Sequence, residues 1–307
     1  MVKFKRNSLL LGKLESTYGT DPTPAGTDAI QVIDLSIKES FDPITRDVLI
    51  SSMSRLPSLK GIHFSEVTFS VEMHGSGASG TAPRIGRFLQ ACAFTETVAA
   101  SSVVYTPKST NISSITLYLQ LDGRQHKVTG AYGNVKVTAQ AGQLAVAEFT
   151  FQGIWNDNTD ATNATPNFGS EPNPVPVSSA AFSYNSNTDL VVPSVEFDMQ
   201  NAIVQRQDIS AATALKGFVV TGREPNVVFT AEMESVATED YRADILTNTR
   251  ALSFSVGSAT GNTIDFSMPA VMVKDIEISD NDGLYVEQFT GDLSSTSGDD
   301  ELTITFS

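Results

Sequence analysis

The sequence predicts a mainly β protein: two tandem copies of one strand-rich antiparallel unit, each with one packed α-helix and a long loop. Three observations carry that prediction. First, one pattern occurs twice. Leu59-Lys60-Gly61 leads to Val67-Thr68-Phe69-Ser70-Val71-Glu72-Met73, and Leu215-Lys216-Gly217 leads to Val227-Val228-Phe229-Thr230-Ala231-Glu232-Met233. Second, both copies alternate apolar and mostly polar residues, the period of a half-buried strand. Phe69, Met73, Phe229 and Met233 are therefore expected in the core. Third, charged residues make up only 18% of the chain, and the uncharged remainder is rich in Ser, Thr, Asn and Gly, which suits short strands joined by turns. Phe69 and Phe229 stand 160 residues apart (229 minus 69), about half of the 307-residue chain. That length accommodates two units, each able to bury a core.

Four segments follow in order. Residues 1–30 read as an N-terminal arm, because Tyr18 to Gly26 is turn-rich and without periodicity. Such an arm either frays or docks on a neighbouring subunit. Residues 31–155 form the first unit. It opens on a strand at Val32 to Ile37, followed by a long polar excursion from Glu39 to Ser58 carrying Arg46 and Asp47. Excursions of this length usually serve function or are disordered. Ile85, Phe88, Leu89 and Cys92 then recur at helical spacing, with Thr81 placed to cap and Pro83 tolerated in a first turn. Strands resume at Ile115 to Leu121 and meet Asp122-Gly123, a hairpin signal, with Val128 on the return; Val135 to Val137 and Ala147 to Phe151 close the unit.

Residues 156–180 are rich in Asn, Thr and Pro and read as a linker, semi-rigid at its Pro-rich end. Residues 181–307 form the second unit. Its long-loop counterpart is Asp198 to Ala214, with Arg206 and Asp208; its helix counterpart starts at Thr238-Glu239-Asp240-Tyr241, with Ile245 and Leu246 inward. Its strands are expected at Leu252–Val256, Ile264–Phe266, Val273–Ile278, Leu284–Phe289 and Leu302–Phe306.

Charge and motif content exclude several function classes. A net charge of −15 opposes tight binding of a nucleic-acid backbone, though it suits a surface that nucleic acid passes without sticking. One cysteine, Cys92, offers no intrachain disulfide. Lys3, Lys5 and Arg6 before Leu9-Leu10-Leu11 imitate a secretory signal, but the apolar run is too short, so a cytoplasmic product is expected. Gly75-Ser76-Gly77-Ala78-Ser79-Gly80 fits the dinucleotide-loop spacing. However, the chain lacks an alternating strand–helix pattern, and the second copy has no glycine there, so a surface loop is the simpler reading. Asp280-Asn281-Asp282-Gly283 has calcium-loop composition without the oxygen spacing, and reads as a hairpin turn. His63, His74 and His126 are scattered, and no nucleophile elbow or Cys–His pairing is present. No catalytic residue, cofactor or metal is expected.

Three further stretches carry a family resemblance: Leu9 to Pro24 (LLLGKLESTYGTDPTP), Gly80-Thr81-Ala82-Pro83 leading into Phe88 to Phe94, and Ser297 to Phe306 (SGDDELTITF). With these, the chain resembles the major tail tube proteins of long-tailed bacteriophages with non-contractile tails. The resemblance implies a β-sandwich or barrel-like domain with one helix, assembled into rings that stack into the conduit for genome ejection. It also implies tape-measure, tail-tip and terminator proteins as partners, DNA passing through the lumen without specific binding, no membrane, and residence in the virion tail after assembly in the host cytoplasm. Family members usually close as hexamers with one tube domain per chain. Two domains per chain instead suggest a homotrimer with a pseudo-sixfold ring. Tyr18, Arg46, Asp47, Arg206 and Asp208 are then candidate contacts between subunits or rings, and Asp275, Glu277, Asp280, Asp282 and Glu287 candidate acidic lumen residues. The alternative is a β-rich decoration or host-binding protein of the virion.

Overall fold

The computed structural model describes residues 2–178, 181–236, 242 and 245–307. In the first half the strands are β1 (Ser8–Leu14), β2 (Ala29–Ile30), β3 (Ile33–Ile44), β4 (Leu59–Glu72), β5 (Phe94–Val98), β6 (Val103–Pro107), β7 (Ile115–Leu121), β8 (Arg124–Gln140) and β9 (Val146–Trp155), with helix α1 (Gly86–Ala91) between β4 and β5. Then follow β10 (Thr159–Asp160), β11 (Phe182–Tyr184), β12 (Ser194–Asp198), β13 (Asn201–Gln207), β14 (Leu215–Arg223), β15 (Asn226–Glu232), β16 (Arg250–Ala259), β17 (Asn262–Asn281), β18 (Leu284–Leu293) and β19 (Thr303–Phe306). Among the described residues, 17 strands join in one sheet, and β13 with β14 makes a separate ribbon. The chain is mainly β, as its alternation requires.

The repeated pattern becomes a repeated pairing. Phe69 lies opposite Phe149 across β4 and β9, and Phe229 opposite Phe289 across β15 and β18. Both pairs stack, with ring centroids 5.4 and 4.6 Å apart. The preceding hairpins share a register to the residue. Ile37 faces Val67 and Lys38 faces Glu66; 160 positions on, Phe197 faces Val227 and Asp198 faces Asn226. The order β3–β4–β9–β8 is thus matched by β12–β15–β18–β17.

Strands β8 and β17 are each longer than expected. The sequence suggests two short strands in each place, yet each runs through without a turn and bends at a register shift, near Thr129–Tyr132 in β8 and near Val273–Asp275 in β17. Bulges break alternation and add twist, which hides continuity in the sequence. Pro269, which cannot donate to a ladder, sits at a second irregularity where β17 faces β16. The Asp122-Gly123 and Asp282-Gly283 turns have positive φ at both residues, the primed geometry that hairpins favour.

The core face of the first half is closed by α1, whose Phe88 meets Phe69 at 5.3 Å and also contacts Phe149 and Phe151. Gly133 is needed here, since a Cβ would lie 2.5 Å from the Phe151 ring and 2.9 Å from Cys92 Sγ. The helix begins after Ile85 with no side-chain cap, so Thr81 does not cap it. The expected second helix, starting at Thr238, falls mostly on residues 238–241 and 243–244, outside the described residues. Of its expected inward residues, Ile245 packs against the core and Leu246 is exposed at a turn.

The N-terminal stretch is not a free arm. Leu9, Leu10 and Leu11 are buried in β1, which pairs with β7 along its whole length. A continuous apolar run covered on both faces explains why no alternation marked it. The stretch after Trp155 also packs on the first half: Glu171 pairs with Arg84 at 3.5 Å, and Leu144 bridges to Pro176.

Candidate functional site

The two four-strand sets meet edge to edge. Strand β8 pairs with β12, placing Lys136 opposite Asp198, Val137 opposite Phe197 and Thr138 opposite Glu196. Alternation sends Val137 and Phe197 into the core, where both are fully buried, and Lys136, Glu196 and Asp198 to the other face. There Lys136 Nζ lies 2.8 Å from Glu196, and hydrogen bonding to that carboxylate raises the lysine's pKa. Asn134 donates to Asp198 at 2.6 Å. Asn201, just past β12, donates to the Cys92 and Gly133 carbonyls at 2.9 and 3.0 Å, fixing the joint to the helix of the first half.

Across the eight strands, the face shared with Lys136 carries Glu66, Glu72, Glu148, Glu196, Asp198, Glu232, Asp275, Glu277 and Asp292 against Lys38, Lys136 and Lys274. Nine carboxylates to three ammonium groups make this a negative surface, with Ser and Thr between them. Of the acidic residues singled out in the sequence, Asp275 and Glu277 belong to it. Asp280 and Asp282 sit at the exposed tip of the β17–β18 hairpin. Glu287 does not belong. It points to the opposite face, is only 2% exposed and pairs with Arg242 at 2.7 Å, because β18 places it beside Ala231 and Ile278. Sequence reading missed Lys136, Glu196 and Asp198. The signal was present as two alternating segments, Val135-Lys136-Val137-Thr138 and Val195-Glu196-Phe197-Asp198, with opposite charges on their polar sides.

Other residues singled out in the sequence have diverse positions. Phe69, Met73 and Phe229 are buried, but Met233 is 38% exposed. Its backbone repeats that of Met73, donating to Tyr285 as Met73 does to Ala145. In the first half, however, buried Ile85 and the buried Phe88 and Leu89 of α1 follow, whereas Glu234, Ser235 and Val236, directly after Met233, are exposed. Tyr18 makes its contact inside the chain. Its hydroxyl donates to the Gly130 carbonyl at 3.0 Å and accepts the Phe218 N–H at 2.6 Å, and its ring stacks on Tyr132 at 5.8 Å. Burial pushes its pKa up to about 12. Gly217 belongs to this arrangement: a Cβ there would stand 2.1 Å from the Tyr18 oxygen. Asp208 holds its own turn, accepting from Ser210 and pairing with Lys216 at 3.4 Å, which lowers its pKa to about 2. Arg206, at the end of β13, lies opposite Gly217. Arg46 and Asp47 lie in the exposed 45–58 loop, which also presents Leu49 and Met53 to solvent.

The glycine-rich loop has a structural use. Gly75 N–H donates to Asn262 Oδ1 at 2.7 Å and Gly77 N–H to the Gly261 carbonyl at 2.9 Å, so the loop docks on the β16–β17 turn of the other half. A Cβ at Gly75 would be 2.0 Å from the Gly261 oxygen. Close backbone approach, rather than pyrophosphate, accounts for the glycine there. Among the described residues no three His, Cys, Asp or Glu side chains gather as a metal site needs, and no helix is long and apolar enough to cross a membrane.

The arrangement is two strand sets joined edge to edge in one sheet, with one acidic face. No curated protein matches the chain. A family model described as phage tail tube protein matches residues 5–307, nearly the whole chain. The chain therefore belongs to the phage tail tube protein family, structural proteins of the virion tail.

Proposed function

We propose that three copies of this chain close into a ring of six tube units, and that such rings stack into the tube through which the genome leaves the virion. The observation that carries this reading is the doubled strand set, β3–β4–β9–β8 followed by β12–β15–β18–β17, with its joint inside the chain. Eight strands from each of three copies make a 24-stranded wall. At a strand spacing of ~4.8 Å and a tilt of ~40°, such a wall is roughly 45–50 Å across at its backbone, leaving a bore wider than a DNA duplex once side chains are in place.

In this reading the acidic face, including Asp275 and Glu277, lines the bore. Repulsion between carboxylates and phosphates lets DNA slide without the Lys and Arg contacts that make nucleic-acid binding tight. The exposed 45–58 loop, with Arg46, Asp47, Leu49 and Met53, reaches the adjacent ring. Tape-measure, tail-tip and terminator proteins engage the bore and the ends of the tube, and assembly takes place in the host cytoplasm. Electron cryo-microscopy of assembled tubes, reconstructed without imposed symmetry, tests the proposal. Three chains per ring are expected. Six chains per ring overturn the stoichiometry, and a discrete oligomer that never polymerises overturns the tube itself in favour of a decoration or host-binding role.

A further inference from the structure

If β3 is to the first set what β12 is to the second, and β17 what β8 is, then each chain carries half of a second joint at either end of its strand array. The corresponding positions follow from the shared partners. Phe149 and Phe289 match, as do the residues facing them on the next strand, Val135 and Ile276. Lys136, Val137 and Thr138 on β8 therefore match Glu277, Ile278 and Ser279 on β17. On the other side, Asp198, Phe197 and Glu196 on β12 match Lys38, Ile37 and Ser36 on β3.

The two sets of positions differ in what covers them. Val137 and Phe197, facing each other within the chain, are fully buried. Their counterparts are not: Ile278 is 49% exposed, and Ile37 is half-buried. Among the described residues, Ser36–Lys38 pair only with β4, and Glu277–Ser279 only with β18, so each segment has one backbone edge without a strand beside it. Exposed edges of this kind pair with other chains unless blocked. The charges are complementary as well. The inner joint opposes Lys136 to Asp198; the outer positions oppose Glu277 to Lys38, the same pair with its signs exchanged.

We infer that β17 of one copy pairs antiparallel with β3 of a second copy in a fixed register, Glu277 opposite Lys38, Ile278 opposite Ile37 and Ser279 opposite Ser36. This inference rests on the ring reading above and gives that ring its closing contact. The hydrogen-bond ladder supplies the adhesion, Ile37 and Ile278 complete a core seam like that of Val137 and Phe197, and the Lys38–Glu277 pair selects the register. A slip of one residue sets Lys38 opposite Ile278 and turns the apolar pair to opposite faces.

Paired cysteines test it, because Cys92 is buried and gives no background. Facing residues in neighbouring antiparallel strands lie within disulfide reach. The variant S36C/S279C, oxidised after assembly, is expected to join neighbouring chains covalently, whereas either single variant and the off-register S36C/D280C pair do not. Wild-type tubes together with no S36C/S279C link, or with efficient S36C/D280C linkage, overturn the edge pairing and leave the tube reading standing. A wild-type chain that forms no tubes overturns both. If the cysteine variant does not assemble, charge reversal decides. K38E and E277K should each raise the critical concentration for assembly roughly tenfold, and K38E/E277K should bring it back; a double variant no better than the singles overturns the pairing.

Discussion

The hydroxyl of Tyr18 ties the N-terminal segment to both halves of the chain, and removing that one atom tests whether the halves are coupled. In Tyr18→Phe the ring keeps its stacking on Tyr132, but the Gly130 carbonyl and the Phe218 N–H lose their partner. Each hydrogen bond contributes about 1 kcal/mol net, and a backbone group left unsatisfied costs about 1–3 kcal/mol. The site is only partly buried, so water recovers some of that loss, and a destabilisation of about 2 kcal/mol is expected. Urea unfolding of the unassembled chain at pH 8 measures it. A second signature comes from titration. The phenol's pKa lies above its ordinary value in the folded chain, so its contribution is fully present below pH 10 and is lost as pH rises toward 12. The gap between wild type and variant should therefore shrink across that window, whereas effects of the other raised tyrosines, Tyr105, Tyr118 and Tyr132, cancel in the comparison. A variant within about 0.5 kcal/mol of wild type at pH 8, with no narrowing at high pH, would refute the coupling.

Three other outcomes are expected. Met73→Ala should cost about 2–5 kcal/mol in the unassembled chain and Met233→Ala under about 1 kcal/mol, although the two residues end the same motif; equal losses by urea denaturation would place Met233 in the core after all. Gly75→Ala should destabilise by about 1–3 kcal/mol, because the new methyl meets the Gly261 backbone and neither loop can yield without losing its hydrogen bonds; an unchanged thermal midpoint would show the loops are not docked. Replacing residues 46–55 by a short Gly-Ser link should preserve the fold, since Ile44 and Leu59 already face each other, while abolishing growth from rings to tubes in negative-stain images; tubes of normal length would remove the loop from the ring-to-ring contact.

Much of the fold is written in local chemistry. Phe69 and Phe229 declare themselves by period-two alternation, and Asp122-Gly123 and Asp282-Gly283 by the φ values their turns demand. Features that depend on distant partners are not legible in this way. Nothing near Gly75 tells that its neighbour is Asn262, and the glycine pattern instead imitates a ligand loop. Leu9-Leu10-Leu11 is apolar without alternation, so its burial as a strand cannot be told from a fragment of helix or a truncated signal. Glu287 stands among acidic neighbours in the sequence, but its face is fixed by the register of β18, and a single step of that register separates a solvent-facing carboxylate from a buried one paired with Arg242. The acidic face itself is legible only after the eight strands are ordered, because its carboxylates come from six of them.

The covalent link between the two strand sets has a consequence for assembly. In a ring of six separate units every joint is bimolecular, and each must recover the entropy of bringing two bodies together. In the proposed trimer the β8–β12 joint forms within one chain, at the effective concentration set by the covalent connection from β9 to β12, and three intermolecular joints remain. The two kinds of joint are then free to differ. The inner one is locked by Asn201 on the Cys92 and Gly133 carbonyls, by Tyr18 on Phe218 and by Gly75 on Asn262, all contacts within one chain. The outer one must stay open until a second copy arrives, and exposed Ile278 opposite half-buried Ile37 is a small enough apolar surface for the free chain to tolerate. Divergence between the halves, seen in the glycine loop, in Met233 and in the 45–58 loop where the second half has the β13–β14 ribbon, is what such a division of labour permits: six equivalent positions in the wall, two kinds of contact holding them.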